Sequence, residues 1–306
     1  MSLLENSPTR CSTTPSSDTP PTPMITIKEG IHTNIEAEDY HAAAGVSNSM
    51  LKRMDRTPAH FKAAMAEPHE TTPAMLLGTL LHAVILEPDK PLPDIAVKPD
   101  GMSFATKEGK AWRAEQELAK KLIITAEENR AWVGMGRSIH GNAVARDIVQ
   151  NSTTELSLFT KNPALADFFG AENPLLKCRI DMVPKTKKYL ADIKTCEDAG
   201  AEFEKTVFTY GYFQQAAFYL DLWNALNPAD QRHHFVFIAV EKSPPYAVRL
   251  VGLKESAIKA GRGLYIQRLT IWVECTRSGV WPAYQQKITE IDIPSWAHSL
   301  LERGAL

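Results

Sequence analysis

One stretch limits the possible folds more than any other: LLKCRIDMVPKTKKYLADIKT, from Leu175 to Thr195. Two alternating apolar runs flank a short polar turn, and that pattern predicts two antiparallel strands. Pro184, Lys185, Thr186 and Lys187 form the predicted turn. Side chains two apart on a strand share a face, so Asp192 and Lys194 point the same way. Placing Val183 opposite Lys188 sets Arg179 across from Asp192, with Asp181 one diagonal step away on the same face. A one-residue slip would turn Asp181 to the other face. In the favoured register two carboxylates and an ammonium share one patch of sheet.

Such a trio suits phosphate chemistry. Two carboxylates can hold Mg²⁺, a hard cation that prefers oxygen and keeps waters for substrate phosphates. The bound metal lowers the pKa of its water and stabilises charge on a phosphate in the transition state. A lysine beside it orients that water or offsets charge. A solvated surface hairpin carries the same residues, and a D-x-K pattern alone does not separate the two readings.

The chain has 306 residues, room for one large domain or two small ones, and 44% apolar residues suffice for a substantial core. A formal charge of −2 gives no global basic signature. That counts against a passive nucleic-acid binder and leaves any such contact to a local patch. Cys11, Cys178, Cys196 and Cys275 are scattered, with no C-x-x-C. This spacing gives no zinc site, iron–sulfur cluster or disulfide framework and fits a reducing cytoplasm. No apolar run is long enough to span a membrane. The N-terminal residues lack the basic-then-apolar order of a signal peptide.

Residues 1–25, rich in Ser, Thr and Pro, are expected to be a disordered tail, and residues 26–306 a single domain. Tyr40-His41 opens the predicted ordered region. Ser47-Asn48-Ser49 predicts the cap of a helix bearing Met50, Leu51, Met54 and Phe61, divided at Thr57-Pro58. From Pro73, PAMLLGTLLHAVILEP predicts a helix buried nearly all round, with Gly78 allowing a close backbone approach. His82 in this helix is either a packing residue or a metal ligand brought to the Asp181/Asp192 face. Residues 88–104 read as a loop. The following helix carries Lys107, Lys110 and Arg113, a face that either grips phosphates or is simply solvated among Glu108, Glu115 and Glu117.

Thr125 caps a helix expected to run to about Val149, with Trp132, Met135, Ile139 and Val144 as its apolar side. TTELSLFT, Thr153 to Thr160, alternates as a strand of the same sheet. Its Glu155 is either a third acidic ligand or a residue of the wet face. FTYGYFQQAAFYLDLWNAL predicts one aromatic-rich helix, with Gln215 and Tyr219 on a shared face and Tyr212 and Phe218 in the core. Two further strands, HHFVFIAVEK and YAVRLVGL, precede a long amphipathic helix over residues 254–278.

Taken in order, His82 in GTLLHAVILEP, Asp181 in CRIDM, Asp192 and Lys194 in ADIKT, and Gln215-x-x-x-Tyr219 resemble the RecB-type branch of the PD-(D/E)xK nuclease superfamily. More narrowly, the chain resembles the nuclease domain of exonuclease VIII (RecE-like) proteins, and YHAAAGVSNSMLKRM with TPAHF is similar to their N-terminal part. The resemblance runs from about Tyr40 to Trp281; Ile180 stands at the superfamily's nominal Pro and Asp192 at its nominal Glu. It implies an α/β fold with a restriction-endonuclease-like core: a mixed central β-sheet flanked by helices, with an N-terminal helical part supplying His82. It implies a Mg²⁺-dependent exonuclease, with Mn²⁺ as a substitute, that degrades one strand of linear double-stranded DNA 5′→3′. A ring-shaped homotetramer and a RecT-like single-strand annealing partner are implied as well. Position by position, His82, Asp181 and Asp192 would bind metal, Lys194 would position or activate the attacking water, and Gln215 and Tyr219 would support the site and contact DNA. Two other functions fit the same core: a structure-specific or nicking endonuclease, and a catalytically silent DNA-binding scaffold.

Overall fold

In the computed structural model, which describes residues 25–67 and 73–303, the first half of the chain is mostly helical. It runs β1 (Gly30–His32), α1 (Ala37–Ala42), β2 (Val46–Ser47), α2 (Asn48–Lys52), α3 (Pro58–Ala66), α4 (Pro73–Leu86), β3 (Ile95–Lys98), α5 (Lys107–Leu118), β4 (Leu122–Thr125), α6 (Ala126–Gly141) and α7 (Ala143–Gln150). The second half supplies most of the sheet: β5 (Ser152–Thr160), a short α8 (Ala166–Phe169), β6 (Leu176–Pro184), β7 (Tyr189–Cys196), α9 (Glu202–Thr209), α10 (Tyr212–Leu226), β8 (His234–Glu241), β9 (Val248–Gly252), α11 (Glu255–Ser278) and α12 (Ser295–Glu302).

Seven strands form the central sheet in the order β1-β5-β6-β7-β8-β9, with β2 added alongside β6. It is mostly antiparallel; β7–β8 and β2–β6 are the parallel pairs. A parallel neighbour needs a long crossover, and α9 with α10 provides it between β7 and β8. The mixed α/β class expected from the sequence is therefore the one observed. Among the described residues no helix is long and apolar enough to cross a membrane.

Two cores cover the two faces. On one, α10 and α11 bring Phe218, Leu222, Tyr265 and Leu269 against Leu156, Ile180, Leu190 and Phe237. On the other, α4, α6 and α7 bring Leu81, Ile85, Met135, Ile139 and Ile148 against Met182, Ala191, Ile193 and Ile238. The N-terminal segment is pinned by two cations of β6. Lys177 donates to the carbonyls of Tyr40, His41 and Ala43 at the end of α1. Arg179 donates to Ile35 O at 2.6 Å and lies over the Tyr40 ring.

Local chemistry sets several boundaries. Ser47 caps α2 as expected, Thr57 at the expected break caps α3, and Thr125 forms a full capping box with Glu128 at the start of α6. The helix expected to run on to Val149 instead stops at Gly141. Asn142 ends it, and its side chain accepts from Val144 N and Ala145 N to start α7. Val144, expected on the apolar side, is consequently exposed. The aromatic-rich helix also divides, at Gly211, which adopts a left-handed φ of +62°. In α4 one side packs, through Leu77, Leu81 and Ile85, while Met75 is exposed and the space beside Gly78 is open, so no backbone approaches there. Residues 88–104 contain β3, which pairs in parallel with β4, and β1 precedes the expected start at Tyr40. Ile25, expected in the tail, bridges in parallel beside Ala43: its N–H donates to Ala42 O and its carbonyl accepts from Ala44 N. The disorder expected for residues 1–24 falls outside the described residues.

Candidate active site

The hairpin of β6 and β7 is present, with its turn over residues 185–188. Its register pairs Met182 with Ala191, two residues from the predicted one. An offset of two leaves side chains on their faces but sets Asp181 nearly across from Asp192. At its start β6 pairs with β2, through Leu176 and Lys177. The two hairpin strands therefore part close to the acids. Asp181 fills the opening, its Oδ2 accepting from Ile193 N at 3.0 Å in place of a ladder bond.

The usual alternation also reverses here, in β5 and β6 together. Cys178 and Ile180 pack in the α10 layer, but Met182 packs in the α4 layer. Across the ladder Leu156 and Leu158 face the α10 layer, whereas Thr154 donates to Leu86 O at the end of α4. Both reversals fall at the Glu155–Asp181 position, where Glu155 holds a left-handed φ of +52°. A non-glycine residue in that region inside a strand is strained by about 1–3 kcal/mol, and such strain collects at functional sites.

Donors consequently converge from both layers. From α4, His82 sets Nε2 3.6 Å from Asp181 Oδ2 and Nδ1 3.8 Å from Glu155 Oε1. One ligand atom each from His82, Glu155 and Asp181 lies within 4.8 Å of the others. Arg179 Nε stands 3.8 Å from Glu155 Oε2 and donates to Ser157 Oγ at 3.1 Å. From the α10 layer, Gln215 Nε2 donates to Asp192 Oδ1 at 2.7 Å. Lys194 Nζ is 2.6 Å from Asp192 Oδ2 and sits over the Tyr212 ring. Among the described residues the buried Oδ2 has no partner besides that ammonium. A cluster of three carboxylates and an imidazole is a donor set that fits a hard divalent cation. A cleft of about 540 Å³ opens beside Glu155, lined by Asn34, Glu87, Lys90, His140 and Thr154 among others.

The electrostatics agree with that fit. Burial raises Asp192 to about 6, with the Asp181 charge adding and Lys194 opposing. Burial likewise raises Asp181, against the lowering effect of His82. His82 is pulled down by burial, but the Asp181, Glu155 and Asp192 carboxylates outweigh it and lift it to about 9. Lys194 is lowered by burial and more than restored by Asp192 and Asp181. The carboxylates thus hold both His82 and Lys194 protonated in the metal-free chain, and the imidazole proton occupies the place a bound cation would take.

The structure gathers His82, Glu155, Asp181, Asp192, Lys194 and Gln215. In the metal-binding trio expected from the resemblance, Asp192 was the third ligand. Here Glu155 completes the close set, and Asp192 is turned to Lys194 and Gln215. Tyr219 packs edge-on to Phe235, and burial, then neighbouring charges including those of Asp192 and Asp181, raise its phenol. Lys107, Lys110 and Arg113 are exposed on α5; Arg113 pairs with Glu117 at 2.6 Å. Among the described residues none of the three bonds to the acid cluster. Tyr212 packs against the core as expected, on Phe203 and Phe237, and also forms the floor beneath Lys194. No sequence signal marks it apart from the glycine before it.

Comparison with known proteins bears on this geometry. No curated protein matches the sequence. A protein from Eubacterium rectale described as a candidate exonuclease has a similar structure: 10% identity, TM-score 0.56, covering 88% of this chain and 99% of that one. A phage-related exonuclease from Haemophilus somnus is 12% identical with a TM-score of 0.32, covering 65% of this chain and 95% of its own. At these identities the first likeness speaks for the fold, and no argument rests on the second. Residues 47–292 match a family of PDDEXK-like domains of unknown function, DUF3799. That span holds the parted hairpin, every donor of the acid cluster and Gln215, and the chain belongs to this family and so to the PD-(D/E)xK superfamily.

Proposed function

We propose that this chain is a Mg²⁺-dependent exodeoxyribonuclease that degrades one strand of linear double-stranded DNA 5′→3′ and leaves 3′ single-stranded ends for annealing. The observation that supports it is the convergence of Asp181, Glu155 and His82 on one point with the Asp192–Lys194 ion pair beside it. We take residues 26–306 as one catalytic domain that works in the cytoplasm, and the exonuclease VIII (RecE-like) resemblance supports a homotetramer and a RecT-like annealing partner. The similar fold from Eubacterium rectale, described as a candidate exonuclease, agrees with this reading.

His82, Asp181 and Glu155 would hold the cation, with Asp192 at its edge. When bound, the cation supplies a water of lowered pKa and positive charge for the phosphate. The chain does the rest. Gln215 orients the Asp192 carboxylate by its 2.7 Å hydrogen bond. Lys194, fixed by Asp192 and Tyr212, presents its ammonium where a water or phosphate oxygen must lie. Arg179 restrains Glu155 and Tyr219 braces the sheet behind the acids. Lys107, Lys110 and the α5 face would add backbone contacts to DNA.

The test uses a linear duplex labelled at either the 5′ or the 3′ ends, beside a closed circle of the same sequence. Each is incubated with Mg²⁺, with EDTA, and with Lys194→Ala protein. Mg²⁺-dependent loss of the 5′ label from linear DNA alone, reduced about 10²–10⁴-fold in the variant, is the expected result. Cutting of the circle would identify an endonuclease. Binding without hydrolysis under any metal would leave a DNA-binding scaffold.

A further inference from the structure

Lys52 has no part in the arrangement above. It is the last residue of α2, one turn after Asn48, so the two share a face. Asn48 fixes where that face points, since its Oδ1 accepts the Gln214 amide at 2.8 Å. Gln214 in turn accepts from Arg268 of α11, and Arg268 pairs with Asp55. α2 is thereby held against the first turn of α10, where the next residue, Gln215, orients Asp192. A Cβ built on Gly211, which precedes α10, would stand 3.7 Å from Lys52 Cε. The Lys52 stem therefore lies across the start of α10, whose first residue, Tyr212, carries the Lys194 ammonium 4.8 Å above its ring.

The charges around Lys52 have its own sign. Burial, then Lys194 and Arg268, pull its ammonium below the ordinary lysine range. Lys194 is paired with Asp192, and Arg268 with Asp55 and Gln214. Among the described residues Lys52 has no carboxylate partner and no hydrogen bond. A half-buried cation held beside two others is unfavourable until an anion joins them. An ammonium is a compact charge with three donors, suited to a single phosphate oxygen.

We propose that Lys52 is a phosphate-binding, positioning residue of this site, taking a backbone phosphate of the strand being cut next to the one held at Lys194. The proposal rests on the nuclease reading. Two variants test it: Lys52→Met keeps the stem over Gly211 and removes the charge, and Lys52→Arg keeps the charge. Binding of a fluorescein-labelled linear duplex is followed by anisotropy in EDTA over a salt series, and kcat and KM are measured on the same duplex with Mg²⁺. Lys52→Met should weaken binding about tenfold at low salt, with a salt slope shallower by about one counterion. KM should rise more than kcat falls, Lys52→Arg should restore most of the loss, and the thermal midpoint of Lys52→Met should equal or exceed that of the wild type. Unchanged binding and slope in Lys52→Met would overturn the proposal while leaving the nuclease reading intact. Parallel losses of affinity and thermal stability in both variants would also overturn it, since that pattern marks a packing role. A wild-type chain that binds no DNA overturns both readings together.

Discussion

Asp192 carries the sharpest consequence at the scale of single residues. It is 1% exposed, and its carboxyl is raised from the ordinary 3.8 to about 6. The folded chain thus keeps a proton that the unfolded chain has released. Stability from this group is fully present below the unfolded value and is lost as pH rises through about 6. Asp192→Asn should therefore stabilise the metal-free protein at pH 8 by about 1–3 kcal/mol while abolishing hydrolysis. Urea unfolding and the labelled-duplex assay read the two effects; a less stable variant would mean that the Lys194 pairing outweighs burial. The identities of these residues were legible in the sequence because D-x-K, the preceding Asp and Gln-x-x-x-Tyr keep fixed spacings. The role of Glu155 stayed open between a third acidic ligand and the wet face. Its neighbours alternate like any strand, and nothing in TTELSLFT announces a left-handed residue. Lys52 was equally silent, because its importance lies in what is missing around it.

Among the elements, α4 matters most to the site, since it alone carries His82. Leu81, adjacent to it and 0% exposed, seats the helix on the sheet with Ile85. Leu81→Ala should cost about 2–5 kcal/mol in stability, and it should weaken divalent-cation binding beyond what the unfolded fraction accounts for, as titration calorimetry below the unfolding range would show. Equal cation affinity would mean that His82 contributes nothing to the site. The sequence marked α4 clearly, through its long apolar run, but overstated its burial. It marked the hairpin and the β5, β8 and β9 strands because each alternates over five residues or more. It missed β1 and β3, which are three and four residues long and sit among Gly, Pro and polar residues. The break at Asn142 was available in Gly141-Asn142, a stop followed by a cap, and was overridden by the apolar period on either side.

For the whole molecule, pH should act on the site through competition between protons and the cation. Ligation requires Asp181 and Asp192 ionised and His82 neutral. Asp192 releases its proton near 6 and His82 near 9 in the metal-free chain. A fixed concentration of Mg²⁺ should therefore raise the thermal midpoint little at pH 5.5 and increasingly toward pH 9. A shift independent of pH would place the cation elsewhere. The reversal of alternation at Glu155 and Asp181 has a mechanical side too. Because the donors belong to two different layers, a cation bound to them would tie His82 of α4 directly to the carboxylates of the sheet. The cation would then act as a clasp between the layers, and closing it would slow hydrogen exchange along α4 far more than along α10.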